Sequence, residues 1–340
     1  MSYFDKLVNE APGGIFVIAE ACDNHMGSLE MARTLARIAK ISGADAVKFQ
    51  HHIAYEEMLR EAKMSDNFDE HLYDFLEKNS LSLKDHIELK SFCDELDILY
   101  LCTPFSFKAA EEIQDLVPFF KIGSGEFIDH WFIDSIQSLN KPVIFSTGMC
   151  THQELLDNVL WLKGKKGLDF ALLNCLSEYP PKLSDLNLDY IYDLNNLFPD
   201  IVIGHSDHTT TTVTSILAAS KGARIIEKHL TISCHVNGPD QSVSLGGDDF
   251  KSMIQDLRMI RDACGDRKII NDLERPVRDW AYRSLVTTKD LVKGHIISIS
   301  DICSKRPGTG IPSKNYLNLI GKKVVRDIQE NEMLGENDFE

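Results

Sequence analysis

The sequence predicts an α/β protein, a (β/α)8 barrel followed by a small β-rich unit. Three observations predict it. Short β-rich runs alternate with helix-like stretches eight times over roughly 265 residues. Such alternation implies a parallel sheet, and the length matches the about 250 residues usual for a barrel of this kind. Nearly every run ends in polar residues, as strand ends do where they build a site. After about residue 270 the alternation stops and short runs cut by Gly, Pro and Asn-Glu turns take over.

In order, the runs are "FVIAEA" (16–21), "AVKFQ" (46–50), "ILYLCTP" (98–104), "FFKIGS" (119–124), "PVIFSTG" (142–148), "DFALLNC" (169–175), "IVIGHSD" (201–207) and "RIIEKHL" (224–230). Amphipathic stretches such as "LEMARTLARIAKIS" (29–42) and "TTVTSILAASKG" (211–222) lie between them, and "DDFKSMIQDLRMIRDAC" follows the last. No GxGxxG turn follows the first run, which argues against a doubly wound sheet. The polar segment 51–83 is an insertion after the second strand, placed where barrel loops cover sites. The barrel is assigned to 1–270, a linker to 271–283, and the β-rich unit to 284–340. Fewer than 60 residues form a marginal core, so that unit is expected to dock on a barrel, its own or a second subunit's.

A net charge of −16 argues against a nucleic-acid binder, which needs a basic face, and against anionic membranes. The eight cysteines form no CxxC pair and are expected to be reduced and mostly buried in a cytoplasmic protein. "MSYFDKLVNEAPGG" is not a signal peptide, and no apolar run reaches the ~18 residues of a membrane span.

The polar strand ends are Glu20; Lys48 and Gln50; Thr103; Lys121, Ser124 and Glu126; Ser146 and Thr147; Asn174 and Ser177; His205, Ser206 and His208; Lys228 and His229. One alone would be an ordinary rim salt bridge; loaded together they indicate a site. Lys48, Lys121, Thr103, Ser124, Ser146 and Ser206 suit a carboxylate or phosphate. The glycines of "KIGSGE" let backbone N–H groups approach an anion. His208 and His229, from neighbouring strands, could converge on one divalent cation in an open site; the alternatives are acid/base work or barrel packing. Glu20 could be a third ligand or a proton shuttle.

These stretches together resemble the sialic acid synthase family. The matching segments are "IAEACDNHMG", "GADAVKFQ", "TPFS", "KIGSGE", "KPVIFSTGM", "SEYP", "IGHSDHT", "IEKHLT", "GPD" and, in the tail, "KRPGTGIP". The tail is similar to the antifreeze-like (SAF) domain of that family. The resemblance implies a TIM-barrel synthase that joins phosphoenolpyruvate to an acetamido-hexose, giving a nine-carbon 2-keto acid. It implies that His208 and His229 hold manganese or magnesium. It implies phosphoenolpyruvate contacts from Lys48, Thr103, Lys121, Ser124, Ser146, Ser177 and Ser206. Gln50, Phe105, Glu126, Tyr179 and Asp240 would line the sugar, and Glu20 would do acid/base work. Arg306 would reach from the tail of one subunit into the barrel of the other in a domain-swapped homodimer.

Some positions depart from the commoner family pattern: Ser177 stands where Asn is usual, Asn174 where His is, Cys22 where Gly is frequent, and His205 where an apolar or aromatic residue precedes "SDHT". The expected acceptor is N-acetylmannosamine, with a 2,4-diacetamido-trideoxymannose as the alternative. Asp207 is expected to orient the site from behind, and His205 to pack in the core. Competing readings are a Schiff-base aldolase using Lys48, Lys121 or Lys228, a barrel metallohydrolase, and a carbohydrate sensor on a retired barrel.

Overall fold

Eight strands alternate with helices through the first part of the chain: β1 (Phe16–Glu20), β2 (Ala46–His51), β3 (Leu99–Pro104), β4 (Phe120–Ile122), β5 (Val143–Ser146), β6 (Phe170–Cys175), β7 (Val202–Asp207) and β8 (Ile225–His229). The computed structural model describes residues 1–340 apart from 62–70, 235–237, 239 and 266. The chain divides into two units, Met1–Gly265 and Asp266–Glu340.

Neighbouring strands pair in parallel in the order β3-β2-β1-β8-β7-β6-β5-β4, and β4 lies against β3 to complete the barrel. Side chains alternate across each strand. Val17 and Ala19 of β1 pack outward against the helices, while Phe16 and Ile18 pack inside with Ala46, Leu101, Ile144 and Ile225. The interior is therefore apolar where the strands begin. Towards its carboxyl end each strand turns a polar group or a thiol inward: Glu20, Lys48 and Gln50, Thr103, Lys121, Ser146, Cys175, Ser206, and Glu227 with His229. One period-two pattern thus makes both the core and the site.

A short helix precedes the first strand. Helix Tyr3–Glu10 is started by a capping box between Ser2 and Asp5, which satisfies two free N–H groups. Its Phe4 and Val8, one turn apart, are fully buried with Phe16 and Phe119 beneath the strands. Phe4 meets Phe119 edge-on at 5.4 Å, and the backbone N–H of Tyr3 donates to Asp169 at 2.6 Å. The helix closes the barrel at the end where strands begin.

The described part of the 51–83 insertion holds helices Ala54–Glu57 and Leu72–Asn79, with the rest at 62–70 outside the described residues. Ala54, Tyr73, Phe75 and Leu76 bury one another together with Met26 and Met58. The second unit contains an antiparallel pair, β9 (Ser284–Thr287) and β10 (Ile302–Lys305), and a small core including Leu285, Leu291, Ile302, Val324 and Leu334. The stretch 271–283, expected as a linker, carries the exposed helix Glu274–Ala281. All eight cysteines are free, but only Cys22, Cys93 and Cys102 are buried; Cys234 and Cys264 are exposed. The expectation of mostly buried thiols is corrected accordingly. No helix among the described residues is long and apolar enough to cross a membrane.

Candidate active site

The polar strand ends enclose a cavity of about 390 Å³. Lys48 and Lys121, each 3 % exposed, stand on either side of Glu227, whose carboxylate is 3.6 Å from the first and 3.7 Å from the second. Lys48 also pairs with Glu20 and donates to Thr103 Oγ1 at 2.9 Å. Lys121 donates to Ser146 Oγ at 2.7 Å. Ser206 donates to Glu227 at 2.8 Å and Gln50 to Glu20 at 3.1 Å.

Burial pushes both carboxyl groups up. At Glu227 the ammonium groups of Lys121 and Lys48 overturn this and hold it low. At Glu20 burial wins over Lys48, with Glu227 adding repulsion, and the group ends above its ordinary range. Burial lowers both lysines; Glu20 and Glu227 more than offset it at Lys48, and Glu227 does not at Lys121. Glu227 is thus held as an anion, and Glu20, raised to about 7, is the carboxyl of the pair that can keep a proton near neutrality. When Glu20 holds its proton, two cations face one anion, and the cavity attracts a further anion.

A small cradle lies beside Lys121. The Gly148 N–H donates to Ser124 Oγ at 3.0 Å. A Cβ on Gly148 would stand 2.3 Å from Ser177 Oγ and 2.8 Å from Ser124 Oγ. Only glycine lets these hydroxyls converge.

The two histidines face each other with ring centres 5.2 Å apart. His208 Nδ1 lies 2.8 Å from the Leu176 carbonyl. A carbonyl only accepts, so Nδ1 carries hydrogen and Nε2 a lone pair, 3.0 Å from the Tyr179 hydroxyl. Burial and then His208 depress His229, keeping it neutral. His229 Nδ1 is 3.6 Å from Cys22 Sγ, and donor atoms of Cys22, His229 and Asp240 all lie within 4.8 Å of one another. Imidazole, thiol and carboxylate in one buried place fit a divalent cation. Cys22 has φ 38, the left-handed region that favours glycine. Cys175 adjoins His208: burial raises this thiol, but hydrogen bonding to His208 brings it below the ordinary range.

A second cavity of about 420 Å³ shares Gln50, Phe105, Glu126, Tyr179 and Asp240 with the first. The insertion supplies His52 and Glu57 to it. His52 Nδ1 is 3.0 Å from Glu57 and Nε2 is 3.0 Å from Gln50 Oε1, and the ring stacks on Phe105 at 4.3 Å. A larger groove of about 1010 Å³ lies outside the barrel among the helices after β5, β6 and β7. It lacks the buried lysines and paired histidines, so the chemistry belongs to the smaller cavity.

The residues to which the family resemblance gives a role all line the 390 Å³ cavity except Arg306, whereas the strand-end residues Thr147, Asn174, His205 and Lys228 do not. Arg306 lies in the second unit, exposed, with its guanidinium 4.7 Å over the Trp280 ring and Nε donating to the Ala281 carbonyl at 3.1 Å. Pro239 of "GPD" lies outside the described residues. Several strand-end residues face away from the cavity. Lys228 pairs with Asp207 at 3.1 Å on the helix side, and Asp207 accepts from Thr214 and Ser215 at 2.7 Å each. Asp207 therefore fastens a helix instead of orienting the site, and Lys228 is no Schiff-base candidate. His205 is buried with Nδ1 at 2.9 Å from the Asn174 carbonyl. Sequence reasoning missed Glu227, Cys175, Asp23, His52 and Glu57. Alternation from His229 would have turned Glu227 inward and Lys228 outward; nothing local marks the other four.

The NeuB family model matches residues 35–269, and the SAF domain model matches residues 282–340. An N,N'-diacetyllegionaminic acid synthase of Campylobacter jejuni is 35% identical over 330 residues, 94% of this chain and 98% of that protein. A pseudaminic acid synthase of the same species is 34% identical over 333 residues, 96% of each chain. The crystal structure of N-acetylneuraminic acid (sialic acid) synthetase from Leptospira borgpetersenii is similar with a TM-score of 0.70 and 28% identity, covering 77% of this chain and 90% of that one.

Proposed function

The chain belongs to the NeuB family and carries a SAF domain, and we propose that it condenses phosphoenolpyruvate with the open-chain aldehyde of an acetamido-hexose, releasing phosphate. The observation that carries this reading is the pair of buried lysines beside converging hydroxyls and a proton-holding carboxyl. N-acetylmannosamine, giving N-acetylneuraminate, is the proposed acceptor. A 2,4-diacetamido-trideoxymannose is the second reading, favoured by the likeness to the C. jejuni legionaminic acid synthase.

Lys48 and Lys121 hold the carboxylate and phosphate of phosphoenolpyruvate, with Ser124, Ser177 and the other hydroxyls completing the cradle. His208 and His229 would hold a divalent ion, manganese by preference and magnesium otherwise, which when bound polarises the aldehyde. The enol carbon forms the new C–C bond at C1 of the sugar. Water adds at C2 of the phosphoenolpyruvate moiety, and the C–O bond to phosphate breaks with the electron pair leaving on phosphate. Glu20, which burial makes a weak acid, takes and returns the proton that this addition moves. Gln50 fixes Glu20 while accepting from His52, so the sugar end and the proton carrier share one linker.

Arg306 would complete the site of a partner subunit in a domain-swapped homodimer, and the same reading places the enzyme in the cytoplasm. Phosphate release from phosphoenolpyruvate is the test, measured with several acetamido-hexoses. Release with an N-acetylmannosamine-type sugar, lost on chelation, is expected. No release with any of them would favour a binding protein, and full activity without metal would remove the cation from the reading.

A further inference from the structure

We infer that the second cavity receives the far end of the sugar chain and selects a neutral or cationic, hydrogen-bond-donating terminus over a phosphorylated one. This rests on the condensation proposed above. The reacting aldehyde must lie by the lysines and the histidine pair. The remaining carbons then pass Phe105 and Tyr179, which line both cavities.

The far cavity is lined by Asp23, Glu57, Glu126 and Asp240 against a single imidazole, His52; among the described residues no lysine or arginine lines it. His52 is already engaged, with Glu57 at 3.0 Å and Asp23 at 3.6 Å. Asp23 is 6 % exposed, and its Oδ1, 3.6 Å from His25 Nε2, accepts no hydrogen bond. Glu126 Oε2 is unpartnered as well. A buried acceptor left unpaired is costly until a ligand brings it a donor. Sugar hydroxyls, amide N–H groups or an ammonium group bring donors.

A phosphate brings acceptor oxygens and about −1.5 to −2 of charge. It would meet carboxyl groups that already repel one another. Asp23, Glu57, Glu126 and Asp240 all line this one cavity of about 420 Å³. Within one subunit, the two lysines of the first cavity are held by Glu20 and Glu227 and offer no cation at this end.

The test uses the full-length protein. Calorimetry compares the reduced, unreactive open-chain forms of N-acetylmannosamine and its 6-phosphate, and initial rates compare the two aldehydes. The phosphorylated compound is expected to bind about 100-fold more weakly or worse, the scale of a like-charge juxtaposition, with kcat/KM falling in parallel. Asp23→Asn and, separately, Glu126→Gln should narrow that ratio about tenfold, through KM more than kcat, in variants whose melting shows an intact fold. Equal or tighter binding of the 6-phosphate overturns the inference, as does a ratio that neither variant moves. Turnover absent with every sugar while the binding ratio holds would remove the condensation and leave the charge selection standing.

Discussion

Ser206 on β7 donates a 2.8 Å hydrogen bond to Glu227 on β8, and that bond aims the carboxylate between two buried ammonium groups. Glu227 is the counter-ion that makes it possible to keep both lysines dry. Glu227→Gln preserves the hydrogen bond and removes the charge. It should destabilise the protein by about 3 kcal/mol, as breaking a buried ion pair does. Added phosphate or phosphoenolpyruvate should then raise the melting temperature of the variant more than that of the wild type. Equal shifts in both would show that the anion does not bind at the lysines.

Cys22 brings a soft donor to His229 and Asp240. Cobalt(II) bound to the wild type should show a sulfur-to-cobalt charge-transfer band in the near ultraviolet, and Cys22→Gly should lose it. The same variant should shift relative affinity from zinc towards manganese, because thiolate favours the softer ion. A band that survives the substitution would place the metal away from Cys22.

Hydrogen bonding to His208 brings the Cys175 thiol below its ordinary range despite burial, and the thiolate is the reactive form. Alkylation followed by peptide mapping should show Cys175 protected by phosphoenolpyruvate. The exposed Cys234 and Cys264 should react alike with and without it. Protection spread evenly over the three would be non-specific.

Asp23 has its folded pKa raised to about 6, above the roughly 3.9 of an unfolded chain. Between about pH 4 and about pH 6 the folded state keeps a proton that the unfolded state has lost, so stability falls as pH rises through this window. Asp23→Asn should therefore stabilise the protein by about 3 kcal/mol at pH 8 and by almost nothing below pH ~4. Melting temperatures across that range check it. A gain independent of pH would mean the carboxylate is not the cause.

Arg306→Ala should lower activity at least about tenfold while the melting temperature stays put, since the side chain is exposed. Mixed with an inactive His229→Ala protein, it should regain activity if the tail acts in trans. Confirmed heterodimers without recovery would rule out the exchange.

The eight strands and the pocket at their carboxyl ends were legible because burial forces a simple alternation on each strand. The same alternation shows where a plain reading of strand ends errs. Lys228 and His229 are adjacent, so they cannot both face the cavity, and it is Glu227 that accompanies His229. His205 and Asp207 straddle Ser206 for the same reason. Asp23, His52 and Glu57 were not legible. They meet only because the 51–83 insertion packs its apolar residues over the barrel mouth, a contact between segments with no local signature. Helix Tyr3–Glu10 was hidden differently: eight residues with two apolar anchors are a weak signal until the open end of a barrel is there to receive them.

That helix also bears on the order of events during turnover. With Phe4 and Val8 sealing one end of the barrel, traffic to the lysines runs through the mouth, past the region where the sugar would lie. On the proposed condensation, the anion would have to arrive first and the sugar second. A sugar that arrives early would block the entrance, so rates should pass through a maximum and decline as its concentration climbs. Phosphate generated at the bottom would wait for the long product to clear before it could depart.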